Sequence, residues 1–214
     1  MPGKKARDRL MRLAASHPEW ALGFEEETWW SRLAQPALPA WTPAQQPLPL
    51  VEQTVPRSDP DPKALACYGL LVQERTLQGV SQEHMWLRFV ADRPVSGVTV
   101  AFLTWVCTKL VTLGKTALLL VWDNASWHGS QAVRQWLRDH NQHVKREGQG
   151  IRIVSCPLPS KSPWLNPLEA HWVHGKRAVV EPTRLLTAAE LVERVNTHFS
   201  CPSEEPLSIP QEVS

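Results

Sequence analysis

The chain has 214 residues, 43% of them hydrophobic, and a formal net charge of +2. That suits one globular domain with a sizeable core and flanking segments, and so small a charge by itself implies no partner. No apolar run reaches the roughly 18 residues of a membrane span, and the basic start "MPGKKARDRLMRL" lacks the apolar core of a signal peptide. Cys67, Cys107, Cys156 and Cys201 form no CxxC pair and no disulfide-like framework, so a reducing, cytoplasmic setting is expected.

Residues 4–16 read as a helix, with Leu10, Leu13 and Ala14 on one side and basic residues around them; Pro18 ends it. "WALGFEEETW" (20–29) reads as a strand with Leu22, Phe24, Glu26 and Thr28 on one face. Residues 36–62 hold eight of the nineteen prolines and predict a long loop or insert. Residues 64–73 and 84–90 look like two further strands. "GVTVAFLTWVCTKLVTLG" (97–114) is apolar nearly all round and predicts a buried helix closed by Gly114. "TALLLVWDN" (116–124) fits a strand buried on both faces and ending in a polar pair. An amphipathic helix follows at 130–148, then a strand at 151–159, and helices at 166–177 and 187–199. The segment 201–214 is polar and Pro-rich and predicts a disordered tail.

Three strands in succession suggest an antiparallel meander, and the later alternation with helices suggests parallel additions. The expected fold is α/β, a mixed sheet with helices on both faces. The expected organisation is a basic helical leader at 1–19, one domain at 20–200 and a tail.

Asp123 closes a central strand, where loops in α/β sheets collect ligands. Asn124 and His128 are placed to orient it or to contact a phosphate. A plain turn, with Ser130 capping the next helix, explains the same residues. Glu169 sits in "SPWLNPLEAHW". With Asn166 as N-cap and Pro167 at the first helical position, Glu169 completes something like a capping box, a full structural explanation. It equally suits a metal ligand fixed on a first helical turn. An acid on the first strand, Asp123 and Glu169 can converge on one point of a mixed sheet. Such a cluster of oxygens suits two Mg²⁺ or Mn²⁺ ions and an in-line phosphoryl displacement.

"LLLVWDNASWH" and "IVSCPLPSKSPWLNPLEAHW" resemble the DDE catalytic domain of mariner-superfamily transposases, in particular the bacterial insertion-sequence branch. The Ser-Pro-x-Leu-Asn-Pro-x-Glu-x-x-Trp signature is met at every defined position, and Asp123 and Glu169 stand 46 residues apart. The resemblance spans about residues 20–200 and implies an RNase H-like fold. It also implies metal-dependent cleavage and strand transfer of DNA, acting on transposon ends and target, in a bacterial, cytoplasmic, nucleoid-associated protein. Carried over, Asp123 is the second acid and Glu169 the third. The first acid falls on Glu26, where the family has Asp, with Glu25 and Glu27 as fallback ligands. That departure admits a degenerate, inactive remnant as the alternative reading. Family members also carry N-terminal helix-turn-helix modules, for which the residues before the first strand are too few. A homo-oligomer or a separately encoded helix-turn-helix half is therefore expected as partner.

Lys145, Arg146 and Arg152, and Lys176 and Arg177, form two basic clusters, read as phosphate contacts or as ordinary solvated surface. Lys161 precedes the signature and joins the DNA-contact candidates. Trp127 and Trp164 flank the expected site, either to stack on bases or as core. His171 and His174 hint at zinc but lack a matching ligand set.

Overall fold

A computed structural model describes residues 2–33, 54–75, 79–160, 162–179, 181 and 184–208. The elements run α1 (Pro2–Ser16), β1 (Trp20–Ser31), β2 (Ala64–Arg75), β3 (Ser81–Phe89), α2 (Ser96–Thr112), β4 (Ala117–Trp122), α3 (Gln131–Glu147), β5 (Arg152–Pro157), a 3-10 turn (Pro163–Leu165), α4 (Leu168–Ala178) and α5 (Ala188–His198). The sheet order is β3-β2-β1-β4-β5. β1, β2 and β3 pair antiparallel, whereas β4 lies parallel to both β1 and β5. The expected meander with parallel additions is thus what forms.

Period-two alternation divides the strands between two cores. Leu22, Phe24, Leu71, Leu119 and Val121 face α1, α4 and α5, packing with Leu168, Trp172, Leu191 and Val195. Ala21, Tyr68, Leu70, Leu118, Leu120 and Trp122 face α2 and α3, with Phe102, Leu103, Val106 and Val133. β4, "ALLLVW", is buried at all six positions because both of its faces are covered. α2 buries only one side: Val111 is 53% and Leu113 40% exposed. Trp105, partly buried at the flank of the helix against Phe102 and Trp86, lies beneath Arg88 and Lys109. Gly114 closes the helix in the left-handed region (φ 68°), donating its N–H to the Val111 carbonyl.

Two expectations at the ends of the chain are corrected. α1 is no detached leader. Leu10 is buried in the first core, and Arg7 donates to the Leu165 carbonyl at 2.9 Å, so the helix braces the approach to α4. The expected tail is ordered over 201–208. Leu207 exchanges backbone hydrogen bonds with Phe89 and Ala91, and Glu204 pairs with Lys109 at 2.8 Å. Those contacts cover part of β3's free edge. Most of the expected Pro-rich insert, and Lys161, lie outside the described residues.

Arg32, 2% exposed, gathers the chain where β1 ends. It donates to the Leu186 carbonyl (2.7 Å), to both carboxylate oxygens of Asp59, and to the Asp61 carbonyl. Asp61 in turn accepts from the Ala188 N–H at the start of α5.

Candidate active site

β1 and β4 run parallel with Phe24 beside Val121. Continuing that register by two residues sets Glu26, midway along β1, beside Asp123, the first residue past the C-terminal end of β4. Neighbouring strands lie about 4.8 Å apart. Both side chains fall on the α4 side of the sheet, by the same alternation that puts Phe24 and Val121 there.

α4 reaches this point because β2 carries Gly69 opposite Glu26. A Cβ at Gly69 would lie 2.4 Å from the indole ring of Trp172. The bare backbone lets Trp172 lie on the sheet, and the first turn of α4 then delivers Glu169. Glu26, Asp123 and Glu169 line one cleft of about 290 Å³ with Asn124, Leu158, Ser162, Pro163 and Asn166.

The entry to α4 differs from the expected capping box. The helix begins at Leu168, Pro167 holds the cap position, and the cap makes no side-chain hydrogen bond. Asn166, 3% exposed, instead closes a turn by accepting from the Leu168 N–H at 3.1 Å. Its amide nitrogen donates to the Glu25 carbonyl (3.1 Å) and reaches the Glu26 carboxylate at 3.4 Å. The Glu169 carboxyl does not return to the cap; it hydrogen-bonds Glu26. Burial first, then the hydrogen bond and charge of Glu169 and the charge of Asp123, push the Glu26 carboxyl up to about 9. Burial and a neighbouring like charge both disfavour the ionised form of a carboxyl group.

Asp123 lies lower than an ordinary aspartate. Burial opposes this, but hydrogen bonds from His128 and from the Ala125 N–H outweigh it. Oδ1 accepts both, each at 2.8 Å. Asn124 donates to the Leu158 carbonyl at 3.0 Å and ties the end of β4 to the strand beside it. Ser130 caps α3 as the sequence suggests, accepting from the Val133 N–H.

The fallback acids turn the other way. Glu25 and Glu27 point to the α2–α3 side, where His128 lies flat against Trp122, ring centroids 4.6 Å apart. His128 Nε2 lies 2.9 Å from a Glu27 oxygen and 3.3 Å from Glu25. The same Glu27 oxygen accepts from Trp127 Nε1 at 2.6 Å. Burial alone would lower His128; the charge of Glu25 and the hydrogen bonds to Asp123 and Glu27 overcome it and push the imidazole up to about 11. Glu25 is wholly buried and neither of its oxygens has a hydrogen-bond partner, so burial and the Glu27 charge hold it far above the usual carboxylate range. Among the described residues, Glu25, Glu27 and His128 are the three metal-ligating side chains whose ligand atoms approach within 4.8 Å of one another. Sequence reasoning missed this network. Its one signal was the alternation of the three glutamates along β1.

The remaining candidates separate. Trp127 is half-buried with its ring nitrogen engaged by Glu27, whereas Trp164 is 71% exposed on the 3-10 turn beside the cleft. Lys176 and Arg177 are exposed in the last turn of α4, two turns from Glu169. Lys145 and Arg146 end α3 at the opposite edge of the sheet, beside Thr116 and Ala117 where β4 begins, and the fold does not bring them to the cleft. Arg152 lies at that far end too. His171 and His174 line a separate groove with His198 and Glu83.

A mixed sheet that collects acids from β1, β4 and α4 at one end is the RNase H-like arrangement. Residues 79–192, more than half of the chain, match the DDE superfamily endonuclease family, and the chain belongs to it. The matched segment holds Asp123 and Glu169 and begins after β1.

The fold is similar to that of the Mos1 transposase paired-end complex with the left transposon end (TM-score 0.59, 13% identity, 94% of this chain and 54% of that one). It is also similar to the Mos1 mariner paired-end complex with Mn (0.58, 13%, 92% and 54%) and the Mos1 strand transfer complex (0.53, 13%, 94% and 53%). This chain thus spans about half the length of those proteins. No curated protein matches its sequence. Among the described residues no helix is long and apolar enough to cross a membrane.

Proposed function

We propose that this chain is the catalytic domain of a mariner-superfamily transposase of the bacterial insertion-sequence branch, cutting and joining DNA with divalent ions held by Glu26, Asp123 and Glu169. The observation that carries this reading is the meeting of three carboxylates, from three elements far apart in sequence, in one cleft. The donor set fits. It is all oxygen, as Mg²⁺ and Mn²⁺ prefer, and none of the described lining residues is cationic. The raised Glu26 carboxyl supports the same conclusion, because after burial its causes are the neighbouring Glu169 and Asp123 carboxylates.

Two such ions, when bound, polarise a phosphoryl oxygen and supply a nucleophilic oxygen at neutral pH. The chain's own residues hold the site's shape. Asn166 tethers the turn before Glu169 to the Glu25 carbonyl, so β1 and α4 keep their spacing. The Asx-type turn at Asp123 presents its carboxylate at the mouth of the cleft. Lys176 and Arg177, and Lys161 just before the signature in sequence, are the proposed phosphate contacts for DNA entering over α4. The complexes of the similar structures with transposon ends support DNA as the partner. A second copy, or a separately encoded helix-turn-helix half, would supply recognition of the ends.

Nicking of supercoiled DNA in Mg²⁺ or Mn²⁺ tests the proposal. Removing a ligand forfeits several kcal/mol of charge stabilisation, so Asp123→Ala and Glu169→Ala should each lose about 10³-fold in rate. Nicking that survives chelation, or survives Asp123→Ala, would overturn it. Glu26 favours one second reading, an inactive remnant, because one extra methylene displaces the carboxylate and about 1 Å of misplacement costs on the order of 10²-fold. A silent wild type revived by Glu26→Asp would establish that reading.

A further inference from the structure

The acids of β1 divide their work between two faces of the sheet. Glu26 faces the cleft. Glu27 faces the buried side, yet it joins the cleft through a single ring: Glu27 Oε1 to His128 Nε2 at 2.9 Å, then His128 Nδ1 to Asp123 Oδ1 at 2.8 Å. Three features show that the ring is held for this purpose. His128 is 3% exposed and stacks on Trp122 with an interplanar angle of 10°, so it cannot tilt out of its plane. Trp127 donates to the same Glu27 oxygen and fixes that carboxylate. Both hydrogen bonds are made by opposite edges of one imidazole, so moving Glu27 moves the donor to Asp123.

We infer that Glu27 is a positioning residue for the cleft: through His128 it fixes which oxygen of Asp123 is occupied and which faces the cleft. Oδ1 takes the His128 ring N–H and the Ala125 backbone N–H. Oδ2 is left for a ligand. A partner that orients a metal-binding carboxylate from behind typically carries 10–100-fold in metal affinity or activity. Glu25, wholly buried 3.3 Å from His128 Nε2, closes the remaining side of the ring without a hydrogen bond of its own. The inference rests on Asp123 serving as a metal ligand, but its structural half is testable without metal.

The experiment is NMR of the metal-free protein together with Mn²⁺ binding followed by EPR. The Nδ1–H proton of His128, buried and hydrogen-bonded, should give a downfield, slowly exchanging resonance. That resonance should vanish in Asp123→Ala and in Glu27→Ala, and persist in Glu26→Ala, whose side chain lies on the other face. Glu27→Gln retains an acceptor for Trp127 and guards against simple unfolding. Folded Glu27→Ala should bind Mn²⁺ about 10–100-fold more weakly, with Glu27→Gln between it and wild type.

A His128 resonance and Mn²⁺ affinity unchanged in both folded Glu27 variants would overturn the inference. So would an ion retained after Asp123→Ala and lost with His128→Ala, since Glu25, Glu27 and His128 would then be a buried metal site instead. If the resonance behaves as expected while Mn²⁺ never binds, the positioning network stands and the metal-dependent function falls.

Discussion

The two ends of the central sheet both hold buried charge, and they handle it differently. At the end where β4 begins, Lys115 is 7% exposed and its ammonium lies 2.5 Å from Glu74. It also donates to the Pro18 and Arg75 carbonyls, while His84 meets the other Glu74 oxygen at 3.0 Å. The buried Lys115 and Glu74 are thus matched by each other and by their neighbours. At the end where β4 stops, Glu26, Asp123 and Glu169 share a cleft with no described cation among its lining residues. The balanced end stitches β1, β2 and β4 together. The unbalanced end works against folding, which is the cost expected of the proposed metal site.

Breaking the balanced end should cost the most stability. Lys115→Ala strands the Glu74 carboxylate in a buried site, and removal of one partner of such a pair costs about 3–5 kcal/mol. Urea unfolding should record that loss, while Mn²⁺ affinity at the distant cleft stays as in wild type. A matching fall in affinity would show that the two ends are not separable.

Gly69→Ala probes the link between core and cleft. The new Cβ collides with Trp172, and overpacking of this kind costs about 1–3 kcal/mol. Because Trp172 and Glu169 share α4, the same variant should weaken metal binding, which a purely structural glycine would not do.

The unbalanced end has a pH signature of its own. Glu26 is pushed up to about 9 from an ordinary 4.5. In metal-free protein its stabilising contribution is full below pH 4.5 and is lost as pH rises toward 9. Melting temperatures measured across that window should therefore fall for this group. Glu26→Gln should flatten the fall, and saturating Mg²⁺ should do the same by favouring the ionised carboxylate. The smallest effect belongs to a region remote from both ends. Thr187 and Glu190 form a reciprocal capping box on α5, and Thr187→Ala should cost about 1 kcal/mol without touching the cleft.

Much of this arrangement is legible in the chain itself. The alternation of "ALGFEEETW" puts Glu26 on the face shared with Leu22 and Phe24, and the apolar run before Asp123 marks a central strand. Local rules failed where partners are distant. Nothing near His128 announces Glu27, about a hundred residues away, and only the parallel register of β1 and β4 unites them. The helix entry at Asn166 was misread for a related reason. The Asn166 backbone N–H, which a capping Glu169 would need, already donates to the Pro163 carbonyl, and its side-chain amide donates to the Glu25 carbonyl, so Glu169 is free to turn to the cleft. Conversely, Thr-x-x-Glu at 187–190 carries a legible capping signature, and both capping bonds form, Asp61 taking only the next N–H, that of Ala188.

The Arg32 cluster bears on how such a protein can vary. Arg32 stands just before residues 34–53, and Asp59 and Asp61 stand just after them. One guanidinium thus closes the seam between the chain's exit from β1 and its return to β2. With its two ends held by a bond inside the domain, the intervening stretch can lengthen or shorten at little expense: each doubling of a closed loop adds only about 0.6 kcal/mol. The clamp thus fixes where the chain leaves and rejoins the domain, only five residues along from Glu27, the last of the three strand acids.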